Sequence, residues 1–206
     1  MLPPLNFLLA ATLLAVIPGP GIAYVVARTA SAGKPEGLAS SLGAALGGMV
    51  HVIAAALGLS ILIAESAIAY SMIKYIGAIY LIYLGIQLFL SGDRASADPP
   101  LQPAGLRKAF RDGIVVEALN VKTAMFFLAF LPQFVSSNFA ATPQFIMLGS
   151  ICVLLNTIAD VTAVVATNKL ISVSTDTLFK RKLLSRLSGG TMLVLGILLA
   201  ISSRKG

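Results

Sequence analysis

Residues 5–27 read LNFLLAATLLAVIPGPGIAYVVA, an apolar run with Pro18, Gly19 and Pro20 beyond its midpoint. About twenty consecutive apolar residues are what a helix needs to cross a bilayer. Each proline removes a backbone donor, and both proline and glycine disfavour a helix interior. The run is therefore expected to span a membrane and to be interrupted within it. Freed carbonyls at such depth are tolerated only where they are buried in protein or line a wet cavity.

Working outward, the rest of the chain has the same character. Of 206 residues, 57% are hydrophobic and 11% charged, against roughly a quarter charged in soluble domains. There is too little polar surface to solvate a globule, so the chain is read as one integral membrane domain. Cys152 is the single cysteine and stands in an apolar run. No disulfide framework or cysteine-based zinc site can form within the chain, and no metal or cofactor is expected. A net charge of +7 is assigned to orientation signals and not to nucleic acid. The first run lacks a basic segment before it and is read as a retained span.

Apolar runs separated by polar or Pro/Gly-rich breaks give six spans, near 5–27, 38–64, 68–91, 113–135, 143–167 and 184–203. On that division one side receives Arg28, Lys34, Arg94, Arg107, Lys108, Arg111, Lys169, Lys180, Arg181, Lys182 and Arg186. The other receives Lys74, Arg204 and Lys205, and Lys122 lies within a span. This asymmetry places the long basic loops in the cytoplasm and both termini outside. The expected location is the bacterial inner membrane.

The spans fall into two groups of three, residues 5–91 and 113–203, joined by a cytoplasmic linker at 92–112. LGIQLFLSGDR at 84–94 resembles LGILLAISSRK at 195–205, and Leu42-Gly43-Ala44 resembles Leu148-Gly149-Ser150. By a similar offset, Pro18-Gly19-Pro20 corresponds to Asn120-Val121-Lys122. Odd-numbered halves must insert with opposite topology. The expected fold is thus all-α, six transmembrane helices forming two inverted three-helix repeats, the organisation of secondary transporters.

Ionisable groups within spans cost about 2.5–3.5 kcal/mol on insertion scales and point to a functional path. They are His51 in the second span, Glu117 and Lys122 in the fourth and Asp160 in the fifth, with Asn120 and Asn156 beside them. His51 suits either proton shuttling or a packed hydrogen bond. Glu117 suits either the path or the cytoplasmic interface, since its span is expected to start near 113. Glu117 and Lys122 lie about 140° apart on a regular helix, an awkward spacing for a direct pair without a distorted backbone. Gly43 and Gly47, and Gly77 and Gly85, are spaced to let helices approach closely.

The chain resembles the lysine-exporter (LysE/RhtB) family of bacterial amino-acid exporters over nearly its whole length. The resemblance is carried by PGPG in the first span, GLASSLGAALGGMVHVIAAALGL, GAIYLIYLGIQLF and FRDGIVVEALNVKTAMFFLAFLPQFV. Pro18, Gly19, Pro20, Gly113, Asn120, Lys122, Pro132, Gln133 and Phe134 match the family pattern. Gly21 stands where the family often has Asp, which removes an amine- or cation-binding carboxylate. Val121 replaces the proline of Asn-Pro-Lys, which restores a backbone donor, so the fourth span is expected to be less broken.

The resemblance implies export of an amino acid or related zwitterion, driven by protons. Pro18, Gly19, Pro20, Asn120, Lys122, Asp160, Glu117, Asn156 and His51 form the expected path. In that reading Lys122 or free N–H groups at the break hold a carboxylate, and Asp160 or Glu117 holds the amine or a proton. A homodimer is compatible with the sequence. Alternatives are a non-transporting membrane assembly protein and a passive small-solute channel. An intramembrane enzyme is disfavoured by one His, one Cys and no H-E-x-x-H motif.

Overall fold

The computed structural model describes residues 3–59, 103 and 105–171, with single positions between 68 and 86 and Ile197. Its regular elements are all helical. They are α1 (Leu5–Val16), α2 (Pro20–Ala32), α3 (Lys34–Ala54), α4 (Leu106–Ala118), α5 (Val121–Met125) and α6 (Ala141–Ile171). A π-helical turn, Ala55–Leu59, extends α3; Phe126–Phe130 and Leu131–Phe134 extend α5 as a π and a 3-10 turn.

Three stretches, Lys34–Gly58, Leu106–Phe134 and Ala141–Lys169, are long and apolar enough to cross a membrane. The pair α1 and α2 makes a fourth, bent by 43° at the break. These correspond to the first, second, fourth and fifth expected spans. The third and sixth spans, the repeat match between 84–94 and 195–205, and Gly77 and Gly85 fall almost wholly outside the described residues.

One expected boundary moves. The fourth span begins as helix at Leu106 and not near 113, so the end of the expected linker is the first turns of α4. Glu117 is then eleven residues into the segment, about 16 Å along the axis at 1.5 Å per residue. At 7% exposure its side chain is buried among the helices.

Local rules explain most of the helix ends. Pro20 starts α2, where its missing N–H is no loss. Gly33 ends α2 with its N–H on the Thr29 carbonyl and takes φ +82°, a left-handed turn that favours glycine, before α3 begins at Lys34. Outward faces stay apolar: Leu42, Leu46, Val50, Ile53 and Leu57 run down one side of α3 and are exposed. In a bilayer such a stripe faces lipid and needs no protein cover.

Inside, two kinds of packing hold the helices. α3 and α4 meet backbone to backbone: a Cβ on Gly43 would run into the Phe110 carbonyl, and one on Gly113 into the Ser40 carbonyl. A Cβ on Gly47 would lie 2.5 Å from the Ile114 carbonyl oxygen. Small residues permit that approach. Beyond α5 the contact is aromatic, with Phe126 stacked on Phe130 at 5.1 Å and Phe7 edge-on to Phe134 at 5.4 Å.

Candidate functional site: two broken helices around a small cavity

The break between α1 and α2 leaves several α1 carbonyls without the donors a continuous helix would supply. Leu14 should receive the N–H of residue 18, which is proline. The Lys122 ammonium takes that place, donating to the Leu14 carbonyl at 3.0 Å and to the Ile17 carbonyl at 2.9 Å. A cation is favourable at the negative end of a helix. An ammonium has three donors, so one remains beyond these two bonds. Gly19 makes the approach possible, since a Cβ there would lie 3.0 Å from the Lys122 stem.

A second break lies between α4 and α5, at the position the repeat offset indicates. With Val121 in place of proline, the helix is nonetheless interrupted here. Leu119 and Asn120 both leave helical geometry, with Asn120 extended at φ −72°, ψ 103°. The Asn120 side chain caps α5 by accepting from the Lys122 N–H at 3.1 Å. The Glu117 carbonyl, which Val121 would need to continue the helix, accepts instead from Asn120 N–H at 3.0 Å. His51 Nε2 lies 2.9 Å from that same carbonyl and donates to it. The break persists because its acceptor is already occupied.

This distortion brings Glu117 and Lys122 to the same region despite their awkward spacing. The Glu117 carboxylate accepts from Asn120 Nδ2 at 2.8 Å and from Thr123 Oγ1 at 2.6 Å. A Cβ on Gly21 would run into Glu117 Oε2, so the carboxylate lies against the first turn of α2. Lys122 therefore serves the negative end of α1 while Glu117 faces the positive end of α2. Both come from the two sides of the second break. The Glu117 carboxylate occupies the space that a side chain at 21 would take.

Between these elements lies a cavity of about 20 Å³, room for about one water molecule and too small for an amino acid. It is lined by Ala15 and Ile22 beside the first break, Ala44, Ala45 and Gly48 of α3, Glu117, Asn120 and Lys122, and Val153, Asn156, Thr157 and Asp160 of α6. Asp160 is only 7% exposed. Among the described residues no hydrogen bond or ion pair reaches its carboxylate. Of the expected path residues, Asn120, Lys122, Asp160, Glu117 and Asn156 share this cavity, and Pro18, Gly19 and Pro20 form the adjoining break. His51 is not in the lining; it holds the Glu117 carbonyl and packs against Phe127 at 5.8 Å.

Sequence reading overlooked a second polar cluster. Arg28 is 4% exposed; its Nε donates to Tyr24 Oη at 2.8 Å and its Nη2 to Asp112 Oδ2 at 3.1 Å. Arg28 Nη1 also lies 3.7 Å from Glu36 Oε2. Glu36 Oε1 accepts from the Gly105 N–H at 2.7 Å. The cluster ties α2, α3 and α4 together, with Asp112 five residues before Glu117. In the sequence Arg28 reads only as an orientation charge. The sequence signal that marks it is Tyr24 one helical turn earlier. Among the described residues no group of three His, Cys, Asp or Glu side chains could hold a metal.

The LysE type translocator family profile matches residues 12–203, both breaks and the cavity residues included. The chain belongs to that family. YrhP, a membrane protein of Bacillus subtilis, is 34% identical over 154 residues, covering 70% of this chain and 73% of the relative. A membrane protein of Vibrio cholerae is 30% identical over 145 residues, 70% of this chain and 71% of its own. A homoserine/homoserine lactone efflux protein of Salmonella typhi is 31% identical over 143 residues, 69% of each chain. No solved structure matches. As a LysE type translocator with apolar helices and membrane-protein relatives, the chain is a multi-pass membrane translocator.

Proposed function

We propose that this translocator exports an amino acid or a related small zwitterion in exchange for protons, across the bacterial inner membrane. The observation that carries the reading is Asp160, a buried carboxylate with no partner among the described residues, facing a water-sized cavity. A carboxylate in that setting needs a proton, an amine or water. Binding of a substrate amine at Asp160 and of a proton there are mutually exclusive, which is the minimal requirement for exchange. The remaining N–H of Lys122 is the partner for the substrate carboxylate. Because the cavity is smaller than an amino acid, transport requires the two broken helices and α6 to part, with access alternating between the two sides.

Counterflow of labelled homoserine and homoserine lactone in proteoliposomes, with and without a pH gradient, tests the reading. Those probes are chosen from the name of the Salmonella relative. Asp160→Asn is expected to abolish acceleration by the gradient while leaving slower substrate exchange. Gradient-driven export at the parental rate in that variant would remove Asp160 from the coupling. The six spans, inverted repeats and a cytoplasmic position for the long basic loops belong to the same proposal, with both termini outside. In a Cys152→Ser background, a cysteine at 139 is expected to react with an impermeant thiol reagent added to intact cells, and one at 100 to be shielded. The opposite pattern reverses the orientation.

A further inference from the structure

Gly21 is buried in the first turn of α2, immediately after the first break. Its backbone does not call for glycine: the positive-φ glycines among the described residues are Gly33 and Gly105. Near a helix start alanine would fit the same geometry with a smaller loss of chain entropy. What calls for glycine is the neighbour. A Cβ at 21 would overlap Glu117 Oε2 and stand 3.5 Å from the Glu117 carboxyl carbon and 3.6 Å from Asn120 Nδ2.

That carboxylate is not a free end that can swing aside. It is buried, and its two oxygens are held by Asn120 and Thr123. It faces the start of α2, where the first N–H groups lack acceptors in their own helix and the dipole favours a negative charge. It also lines the cavity with Asp160 and Lys122. The empty side-chain position at 21 is thus the place into which α4 delivers an acid.

We propose that Gly21 is a positioning residue for transport, seating the Glu117 carboxylate at the start of α2, and that positions 21 and 117 together provide one seat for one acid. The seat can be filled from α4 when position 21 is glycine, or from α2 when position 117 is small. The proposal rests on the cavity being the transport site. An Asp at 21 would start 3.6 Å from the Asn120 amide, within reach of a donor that now serves Glu117.

The test uses the full chain with Gly21→Ala, Gly21→Asp, Glu117→Ala and the combinations Gly21→Asp/Glu117→Ala and Gly21→Ala/Glu117→Ala. The first readout is homoserine and homoserine lactone counterflow at a series of pH values. Each single variant is expected to lose about tenfold or more in rate, the scale of a lost charged hydrogen bond. Gly21→Asp/Glu117→Ala is expected to recover most of that loss. Gly21→Ala should cost little once residue 117 is alanine.

The second readout, thermal unfolding in detergent, needs no substrate. Residues 21 and 117 are expected to be coupled there, their effects failing to add. Additive effects on unfolding overturn the shared seat, whatever is transported. Coupled unfolding with parental counterflow in Gly21→Ala overturns the role in transport. A Gly21→Asp/Glu117→Ala chain that inserts normally but transports no better than Glu117→Ala also overturns it. If Asp160→Asn, measured alongside, behaves as parental too, the cavity is not the transport path and both readings fall. If Asp160→Asn is impaired while Gly21→Ala is not, this inference alone falls.

Discussion

Between Val16 and Pro20 the chain leaves its helix because prolines cannot donate; between Ala118 and Val121 it leaves because a side chain competes for the backbone. The first break is written into covalent structure and would exist whatever packed against it. Its carbonyls, however, need an outside donor, and Lys122 provides it. The second break is written into hydrogen bonds, with Asn120 capping α5 and His51 and Asn120 N–H sharing the Glu117 carbonyl. It also fixes where Lys122 stands. The dependence is therefore one-way: the second break supports the first, and losing it should disturb both.

Healing the first break should have the largest effect. In Pro18→Ala/Pro20→Ala, two residues that each disfavour a helix interior by about 3 kcal/mol relative to alanine are removed. The variant is expected to insert normally and to unfold at a temperature no lower than the parent, while counterflow is lost. Parental counterflow would reduce that break to a packing kink and dissolve the comparison.

Next comes Lys122→Ala, which strips the Leu14 and Ile17 carbonyls of their donor at about 1–3 kcal/mol for each buried group. A lower unfolding temperature is expected, together with weaker competition by homoserine than by its carboxamide analogue relative to the parent. Equal weakening of both competitors would confine Lys122 to supporting the break.

Asn120→Ala is the smallest of the three. A lost cap is worth about 1 kcal/mol, and Glu117 gives up one of its two side-chain donors. A fall in counterflow of about tenfold is expected from losses on that scale. Carrying the same change in a Pro18→Ala/Pro20→Ala background sharpens the comparison, since with the first break healed the unfolding cost of Asn120→Ala should shrink. An unchanged cost would make the two breaks independent.

The first break was legible because a missing N–H is a property of one residue type and needs no knowledge of the fold. The second was only half legible. Its position followed from the repeat offset and the Asn-x-Lys match, yet Val121 suggested a more continuous helix. Nothing local reveals that the Glu117 carbonyl is taken by His51, a residue on another helix. The early start of α4 was missed for a related reason: Arg107, Lys108, Arg111 and Asp112 look like loop, but they ride on turns of α4. Burial of Arg28 was illegible as well, because a charge near a span end reads the same whether it meets water or Asp112. The approach of Gly21 to Glu117 joins residues almost a hundred positions apart, which one sequence cannot supply.

The glycine contacts between α3 and α4 set a limit on how the molecule can move. Gly43, Gly47 and Gly113 meet opposing main-chain atoms with no room for even a methyl group. Turning either helix about its axis would bring a side chain into the space those glycines leave empty. The pair is therefore expected to move as one body if the molecule opens and closes. On the proposed mechanism, displacement among the described helices falls to the jointed α1–α2 arm and to α6, which would carry Asp160 relative to Glu117 as the path changes sides.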